Sequence, residues 1–370
     1  MSLREQLLSE LPDARLIVRA PGRVNLIGEH TDYNGFPVLP MAIANSVWIA
    51  MAPRSDGLLH IRNLDSQRYP EELICVPDVA DRPRRGFWSD YVIAAARLLP
   101  LVDGAELLVG SDLPAAAGLS SSAALVVASL LALADDETAA DRQALARTAI
   151  KAEQFIGTMV GGMDQTVCLL AKDRHALRID FCPVRTTPVA LPDELRIVVI
   201  DSGVRAEKGA SAQEAYNERV VACAIAAKQL GAPEGGLLCD VPAGRLSEVQ
   251  NLESDLLRRR AGFVLAEAKR VDAAIAALEA SDLVAFGALL DASHRGLRDD
   301  YEASHAEVDI LVDWAKDAGA LGARIVGAGF GGSLIAAVRV ADVDRVVAKF
   351  GGSAFVVAPS AGAERTEVGE

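Results

Sequence analysis

From Leu113 to Ala134 the chain carries no charged side chain, and this stretch joins a loop of small residues to a long apolar helix (LPAAAGLSSSAALVVASLLALA). Ala123 to Ala134 reads as a core helix. It is entered directly from a Gly-Leu-Ser-Ser-Ser turn and preceded by the strand-like run AELLVGSDL. Strand, Gly/Ser loop and helix in this order suit an anion. Small residues from Ala115 to Gly118 let the backbone pass close to a polyanion, and the hydroxyls of Ser120, Ser121 and Ser122 and the unpaired amides of the helix start reach phosphate oxygens. No GK[ST] follows the glycine, so this is not a Walker A loop. Taken alone, the segment fits a serine-capped core helix equally well.

The remaining composition bounds the partners. The 370 residues are 51% hydrophobic, 24% charged and only 5% aromatic, a globular composition with an aliphatic, Ala-rich core. At roughly 100–200 residues per domain the length suggests about two domains. Lys plus Arg is 37 against 51 for Asp plus Glu, and the net charge of −14 repels nucleic acid and anionic membrane surfaces. A nucleotide would have to be held by local amides, a few basic groups and a cation. The five cysteines (Cys75, Cys168, Cys182, Cys223, Cys239) are odd in number and form no CxxC pair, which argues against a disulfide framework or zinc site. A reducing cytoplasm is expected. The N-terminus lacks an apolar h-region, and no window reaches about 18 uninterrupted apolar residues.

Periodicity alternates between strand and helix along the chain. Residues 2–11 are helical, RLIVR is a strand running into a Pro21-Gly22 turn, and Val38 to Arg54 and LLHIRNLD continue the strand pattern. Helices are expected at Trp88–Leu99, Asp141–Ile156, Ala212–Leu230, Val264–Leu278, Leu283–Leu297 and Glu307–Ala318, with strands at ALRIDF, LRIVVID, ARIVGAGFGGSLIAAV and AFVVAP. A second domain is placed from residue 191, after a first of 1–190. The first and last strands are free to cross that boundary.

Three more segments concentrate chemistry. PGRVNLIGEHTDYNG (Pro21–Gly35) packs Arg23, Asn25, Glu29, His30, Thr31, Asp32, Tyr33 and Asn34 around two glycines, a density of hydrogen-bonding groups suited to a ligand with many hydroxyls. No second His or Cys stands at ligand spacing, so His30 is not expected to hold a metal. VGGMDQTV (Val160–Val167) presents Asp164 from a glycine break beside an apolar run, as a proton-accepting carboxylate or as a simple helix cap. Gly327 to Gly332 (GAGFGG) lies between strand-like runs and reads as a Gly-rich hairpin, its surroundings being wrong for a dinucleotide fold.

Together, and in this order, the four segments resemble the GHMP small-molecule kinases, and PGRVNLIGEHTDYNG is similar to the signature of their galactokinase branch. The resemblance implies an α+β fold of two domains with the active site in the cleft between them. The first would carry the sugar signature and phosphate loop, and the second the Gly-rich hairpin. It also implies transfer of the ATP γ-phosphoryl group to the anomeric C1 hydroxyl of galactose, with magnesium. By the same resemblance Asp164 and Arg23 are catalytic, and Glu29, His30, Asp32, Gly161 and Tyr216 form the sugar pocket. Gly118, Leu119, Ser120, Ser121, Ser122 and Ala123 hold phosphate. Trp88 and Tyr91, in a run similar to a family segment near the adenine, lie by the base. Ser122 and Glu153 are the metal ligands, Glu153 about one residue out of the family's register. Sugar and ATP are the implied partners, with no obligate protein partner.

Departures bear on the substrate. Ala115–Ala117 stand where galactokinases are often glycine-rich, Val326 replaces a hydroxyl residue, and the stretch from Val204 to Tyr216 differs in length and content. GGMDQ, NGFPVLPMAI and the IGT before the glycine break are closer to N-acetylgalactosamine kinase relatives, leaving that sugar, galacturonate and L-arabinose as alternatives. Some family members are non-catalytic sensors, but these tend to lose part of the Ser-Ser-Ala loop, which is complete here. Mevalonate-type and homoserine-type branches lack the EHTDYNG run.

Overall fold

The computed structural model describes residues 1–101, 103–114, 118–157, 159–204 and 210–369, with the side chains of 210–212 also left aside. Ala115–Ala117, and residues 205–209 of the divergent stretch before Tyr216, therefore lie outside the described residues.

The first sheet has six strands in the order β12 (Glu364–Glu367), β1 (Leu16–Ile27), β2 (Leu39–Arg54), β5 (Gly104–Ser111), β3 (Leu58–Asn63) and β4 (Glu72–Cys75). Only the β3–β5 pair is parallel. Side chains alternate across it as a pleated strand requires. Leu16, Val18 and Ala20 enter the large core, while Ile17 faces the other way with Ala50, Ala52 and Leu108, under helix α1 (Leu3–Glu10). The large core lies beneath α2 (Asp90–Ala96), α3 (Ser121–Leu133), α5 (Arg142–Ile156) and α6 (Met163–Leu170), with the short α4 (Asp136–Ala140) leading into α5. The uncharged helix foreseen at Ala123–Ala134 is α3, packed against β1, β2, α2, α5 and α6.

The second sheet is antiparallel, in the order β11 (Ala354–Val357), β8 (Leu195–Asp201), β10 (Ser333–Arg339) and β9 (Gly322–Ile325). Around it pack α7 (Ala210–Gln229), α8 (Asp255–Glu279), α9 (Leu283–Asp299), α10 (Ala306–Asp317) and α11 (Val343–Phe350). A hairpin of β6 (His175–Phe181) and β7 (Val184–Ala190) stands apart and bridges to Val38 through Ile179. One face of the second sheet (Val198, Ile200, Leu334, Ala336) covers a core of its own with Ala226, Val264 and Val308, and the other face shares the core of the first sheet. Ile197, Val199 and Ile335 from the second, with Val271, Phe286 and Leu290 from α8 and α9, join the same buried cluster as Val24, Leu26 and Ile27 of β1. Among the described residues no helix is long and apolar enough to cross a membrane.

One expectation is corrected. Pro21-Gly22 is not a turn that ends a strand: β1 runs through it to Ile27, with register shifts against β2 between Pro21 and Arg23 and between Asn25 and Ile27. Bulges of this kind absorb a proline without ending the pairing and bend the strand locally. The closing strand β12, far along the chain from its partner β1, was not read from the sequence.

Helix α9 crosses β9 at very short range because glycines face each other there. A Cβ on Gly322 would clash with the carbonyl and backbone of Gly287, neither of which can give way. Gly322→Ala is therefore expected to cost about 1–3 kcal/mol, the ordinary range for overpacking, or more. It should lower the thermal midpoint, and an unchanged midpoint would show that the contact is looser than described.

Candidate active site

The bulge at Pro21-Gly22 brings the serine loop to β1. A Cβ on Gly22 would stand 2.8 Å from the Leu119 carbonyl, and with none there the Arg23 amide donates to that carbonyl at 3.1 Å. The Arg23 side chain is buried and makes three bonds. Nε and Nη2 donate to Oδ1 and Oδ2 of Asp164 at 2.7 and 2.8 Å, and Nη1 donates to the Gly118 carbonyl at 2.7 Å. Paired guanidinium–carboxylate bonds of this form fix both partners in plane. Asp164 is the second residue of α6, whose N-cap is Gly162, so its carboxylate is turned away from capping and towards Arg23. It remains partly open to the cleft, at 24% side-chain exposure against 6% for Arg23.

Ser120 also binds Asp164, through its hydroxyl. It adopts a left-handed backbone (φ 59°) at the N-cap of α3, where its side chain makes no capping bond. A non-glycine residue in that region is uncommon and marks a position held by its surroundings. With Ser120 so engaged, the first turn of α3 keeps unsatisfied amides and the positive end of its dipole facing the cleft, a ready anion site. The Gly-rich hairpin between β9 and β10 closes the far side. Gly327 (φ +84°) would place a Cβ 3.3 Å from the Gly118 carbonyl, so the two small-residue loops nearly touch. Val326 is buried, its amide donating to Ser333 within the hairpin.

The EHTDYNG loop forms the other wall. Glu29 is buried, and its Oε1 accepts from Arg324 Nη2 at 2.8 Å and from the Gly327 amide at 2.9 Å. Arg324, fully buried on β9, also donates to the carbonyls of Asn25 and Leu26. His30 (φ 62°) has Nδ1 2.9 Å from the Tyr33 hydroxyl, which lies 2.7 Å from that of Tyr301. Tyr216 packs on both His30 and Tyr33, with ring centroids 5.6 and 5.5 Å away. Gly161 is required where it stands: a Cβ there would clash with the Tyr33 amide and the Asp32 carboxylate. Asp32 in turn accepts from the Met163 amide at 3.4 Å.

Burial and like charge set the protonation states. Burial, then the Asp164 charge, pushes Asp32 up to about 6 and Glu153 up to about 7. His30 is lowered to about 3, by burial and then by Arg219 and Arg324, and is a neutral imidazole at neutral pH. Glu153 lies against the hydroxyl of Ser122 and the amide of Gln165. A buried carboxylate beside a serine hydroxyl, short of positive charge, is an oxygen donor set suited to a divalent cation.

The resulting cleft has a volume of about 380 Å³. Of the residues foreseen, it brings together Arg23, Asp164, Glu29, His30, Asp32, Gly161, Tyr216, Gly118, Leu119, Ser120, Ser121, Ser122, Glu153 and Tyr91. Two are corrected. Trp88 does not line it; its indole donates to the Pro70 carbonyl and packs edge-on to Tyr69, because α2 starts after it and turns only Tyr91 inward. Ala123 is fully buried in the first turn of α3, so it can offer a phosphate only its backbone amide. Arg84 and Gln213 line the cleft with nothing in their local sequence to mark them, and Gln165 lines it from inside the VGGMDQTV segment, where it was given no role. Arg324 was also missed, although an arginine inside the apolar run ARIV was a usable signal.

The Galactokinase galactose-binding signature matches residues 5–53, the GHMP kinases N terminal domain matches 90–172, and the GHMP kinases C terminal domain matches 274–357. The galactokinase of Chloroflexus aurantiacus is 39% identical over 350 residues, covering 90% of this chain and 86% of the relative. This chain belongs to the galactokinase family of GHMP kinases. The galactokinase of Streptomyces coelicolor is 38% identical, covering 94% of this chain and 93% of that one. The solved Lactococcus lactis galactokinase complexed with galactose matches with a TM-score of 0.86 at 28% identity, over 98% of each chain. A Methanococcus jannaschii mevalonate kinase, at 18% identity and a TM-score of 0.67 over 94% of this chain and 98% of that one, shares the fold. The fold is thus the mixed α+β GHMP kinase fold that the four motifs implied.

The raised Glu153 carboxyl has a consequence for stability. Its folded-state value of about 7 exceeds the ordinary 4.5, so the native chain holds a proton that the unfolded chain releases between these values. Stability is therefore lost as pH rises from about 4.5 to about 7, on the order of 3 kcal/mol before relaxation. Glu153→Gln, measured without divalent cation, is expected to raise the unfolding midpoint at pH 8 and to leave it nearly unchanged at pH 4.5. An equal shift at both pH values would contradict this.

Proposed function

We propose that the protein is a galactokinase, transferring the γ-phosphoryl group of ATP to the C1 hydroxyl of galactose and releasing ADP and galactose 1-phosphate. The observation that carries this reading is the Arg23–Asp164 pair, standing between a helix start with free amides and a loop dense in hydroxyl-binding groups. The identity to galactokinases over most of the chain supports the choice of sugar.

In this reading the triphosphate lies along Gly118–Ser122 and the first turn of α3, with the hairpin at Gly327 behind it and Tyr91 and Arg84 towards the base. Asp32, His30, Glu29 and Tyr216 contact the sugar hydroxyls. Asp32 is best placed to accept from them, whereas Glu29 is braced by Arg324 and sets the wall. Asp164 accepts a hydrogen bond from the C1 hydroxyl and orients it for in-line attack, taking its proton as the bond to phosphorus forms. Arg23 holds that carboxylate and offers positive charge to the transferring group. Transition states of this kind are loose, so alignment and charge stabilisation supply most of the rate. Glu153 and Ser122 would hold magnesium. When bound, the ion neutralises phosphate charge.

The test is ADP release with galactose, N-acetylgalactosamine, galacturonate and L-arabinose. Turnover on galactose well above the other three is expected; a preference for another sugar would correct the substrate, and no turnover on any would end the kinase reading. Asp164→Asn is expected to keep sugar and ATP binding while kcat falls by about two orders of magnitude or more, the range general-base contributions span. Unchanged kcat would remove Asp164 from the chemistry.

A further inference from the structure

Away from the cleft, two thiols stand together that are 57 positions apart along the chain. Cys182 lies in the turn between β6 and β7, and Cys239 in the short 3-10 turn Leu238–Asp240; their sulfurs are 2.9 Å apart. Both pack under the EHTDYNG loop. The left-handed Gly35 (φ +78°) that closes that loop would, with a Cβ, clash with Cys239 Sγ and stand 3.4 Å from Cys182 Sγ. The pair therefore joins three segments at one point: the β6–β7 hairpin, the 238–240 turn and the loop that carries Glu29, His30 and Asp32.

We propose that Cys182 and Cys239 are a reversible thiol–disulfide pair, oxidised by small-molecule disulfides, whose closure fixes the EHTDYNG loop. Cys182 is exposed and Cys239 half-buried, which sets the order of events. The Cys182 thiolate attacks a sulfur of the disulfide, forming a mixed disulfide and expelling one thiolate. The Cys239 sulfur then attacks the Cys182 sulfur and expels the second. Both protein thiol protons end on the two small thiols; the pair loses two electrons and the reagent gains them. Burial, then the Cys182 thiol and the Asp240 carboxylate, holds the Cys239 thiol well above its ordinary range, which suits a resolving group rather than an attacking one.

A metal ion is the competing occupant, since Asp240 lies within reach of both sulfurs. Two thiolates on one tetrahedral zinc stand about 3.8 Å apart, as bonds of about 2.3 Å require, which is wider than this pair. The Asp240 carboxylate is also engaged by the Leu237 amide at 2.8 Å. Both observations favour the disulfide. Pairs of this sort in reducing compartments are transient and responsive rather than structural.

The experiment treats the full chain with glutathione disulfide and reads intact mass, peptide maps and amide hydrogen exchange over residues 28–37. The expected product has lost two thiols, joins the peptides containing Cys182 and Cys239, keeps no glutathione, exchanges more slowly over 28–37 and reverts with dithiothreitol. Cys182→Ser should prevent the link, and Cys239→Ser should stop at a glutathione adduct on Cys182. A persistent adduct on wild-type Cys182, unreacted thiols, or one zinc per chain protecting both sulfurs would overturn the proposal. So would a link that leaves exchange over 28–37 unchanged. None of these readouts requires sugar turnover, so failure here and failure of the kinase reading are separable.

Discussion

A buried guanidinium must find partners for its donors or pay heavily in desolvation, and Arg23 meets this demand in a way that organises its surroundings. Two of its nitrogens grip the Asp164 carboxylate and a third takes the Gly118 carbonyl, while its own amide holds the Leu119 carbonyl. One residue of β1 thereby ties the start of α6 to the loop entering α3. The bulge at Pro21-Gly22 is what makes this approach possible: an unbroken, evenly paired strand with a side chain at position 22 would keep that loop away.

A second buried pair locates the other wall. Arg324 on β9 bonds to Glu29 and to two carbonyls of β1, so the second sheet grips the same strand that carries Arg23. Because the large core also runs through both sheets, the cleft wall is held both by apolar contact and by this buried pair. Removing one member of such a pair leaves an uncompensated charge, a loss of about 3–5 kcal/mol, whereas the intact pair contributes mainly to geometry. Asp32 and Glu153 in the cleft are raised by burial, which suits a site that gains positive charge with its ligand.

Much of this was legible locally. The uncharged stretch into α3, the hydroxyl-binding loop and Asp164 beside its glycines are short-range patterns that each allow a purely structural reading alone, and it was their combination and order that pointed to the family. What was missed depends on long-range pairing. β1 crosses a Pro-Gly that local rules read as a stop, because β2 on one side and Leu119 on the other stabilise the bulge. β12 finds β1 across nearly the whole chain. Trp88 and Tyr91 differ in placement because α2 begins at Asp90 and turns only Tyr91 towards the cleft, a matter of a few residues that periodicity does not resolve. Arg84 and Tyr301 carry no local signal, and the Cys182–Cys239 meeting follows from how separate segments fold together rather than from spacing.

The central claim is that Arg23 and Asp164 act as one unit at the point of phosphoryl transfer. A double-mutant cycle on kcat with Arg23→Lys and Asp164→Asn tests it most directly, since residues working together lose their effect together. If they form one unit, the double variant will be about as slow as the slower single variant. Losses that simply multiply would mean that the two side chains contribute independently, and the pair would no longer be the centre of the site.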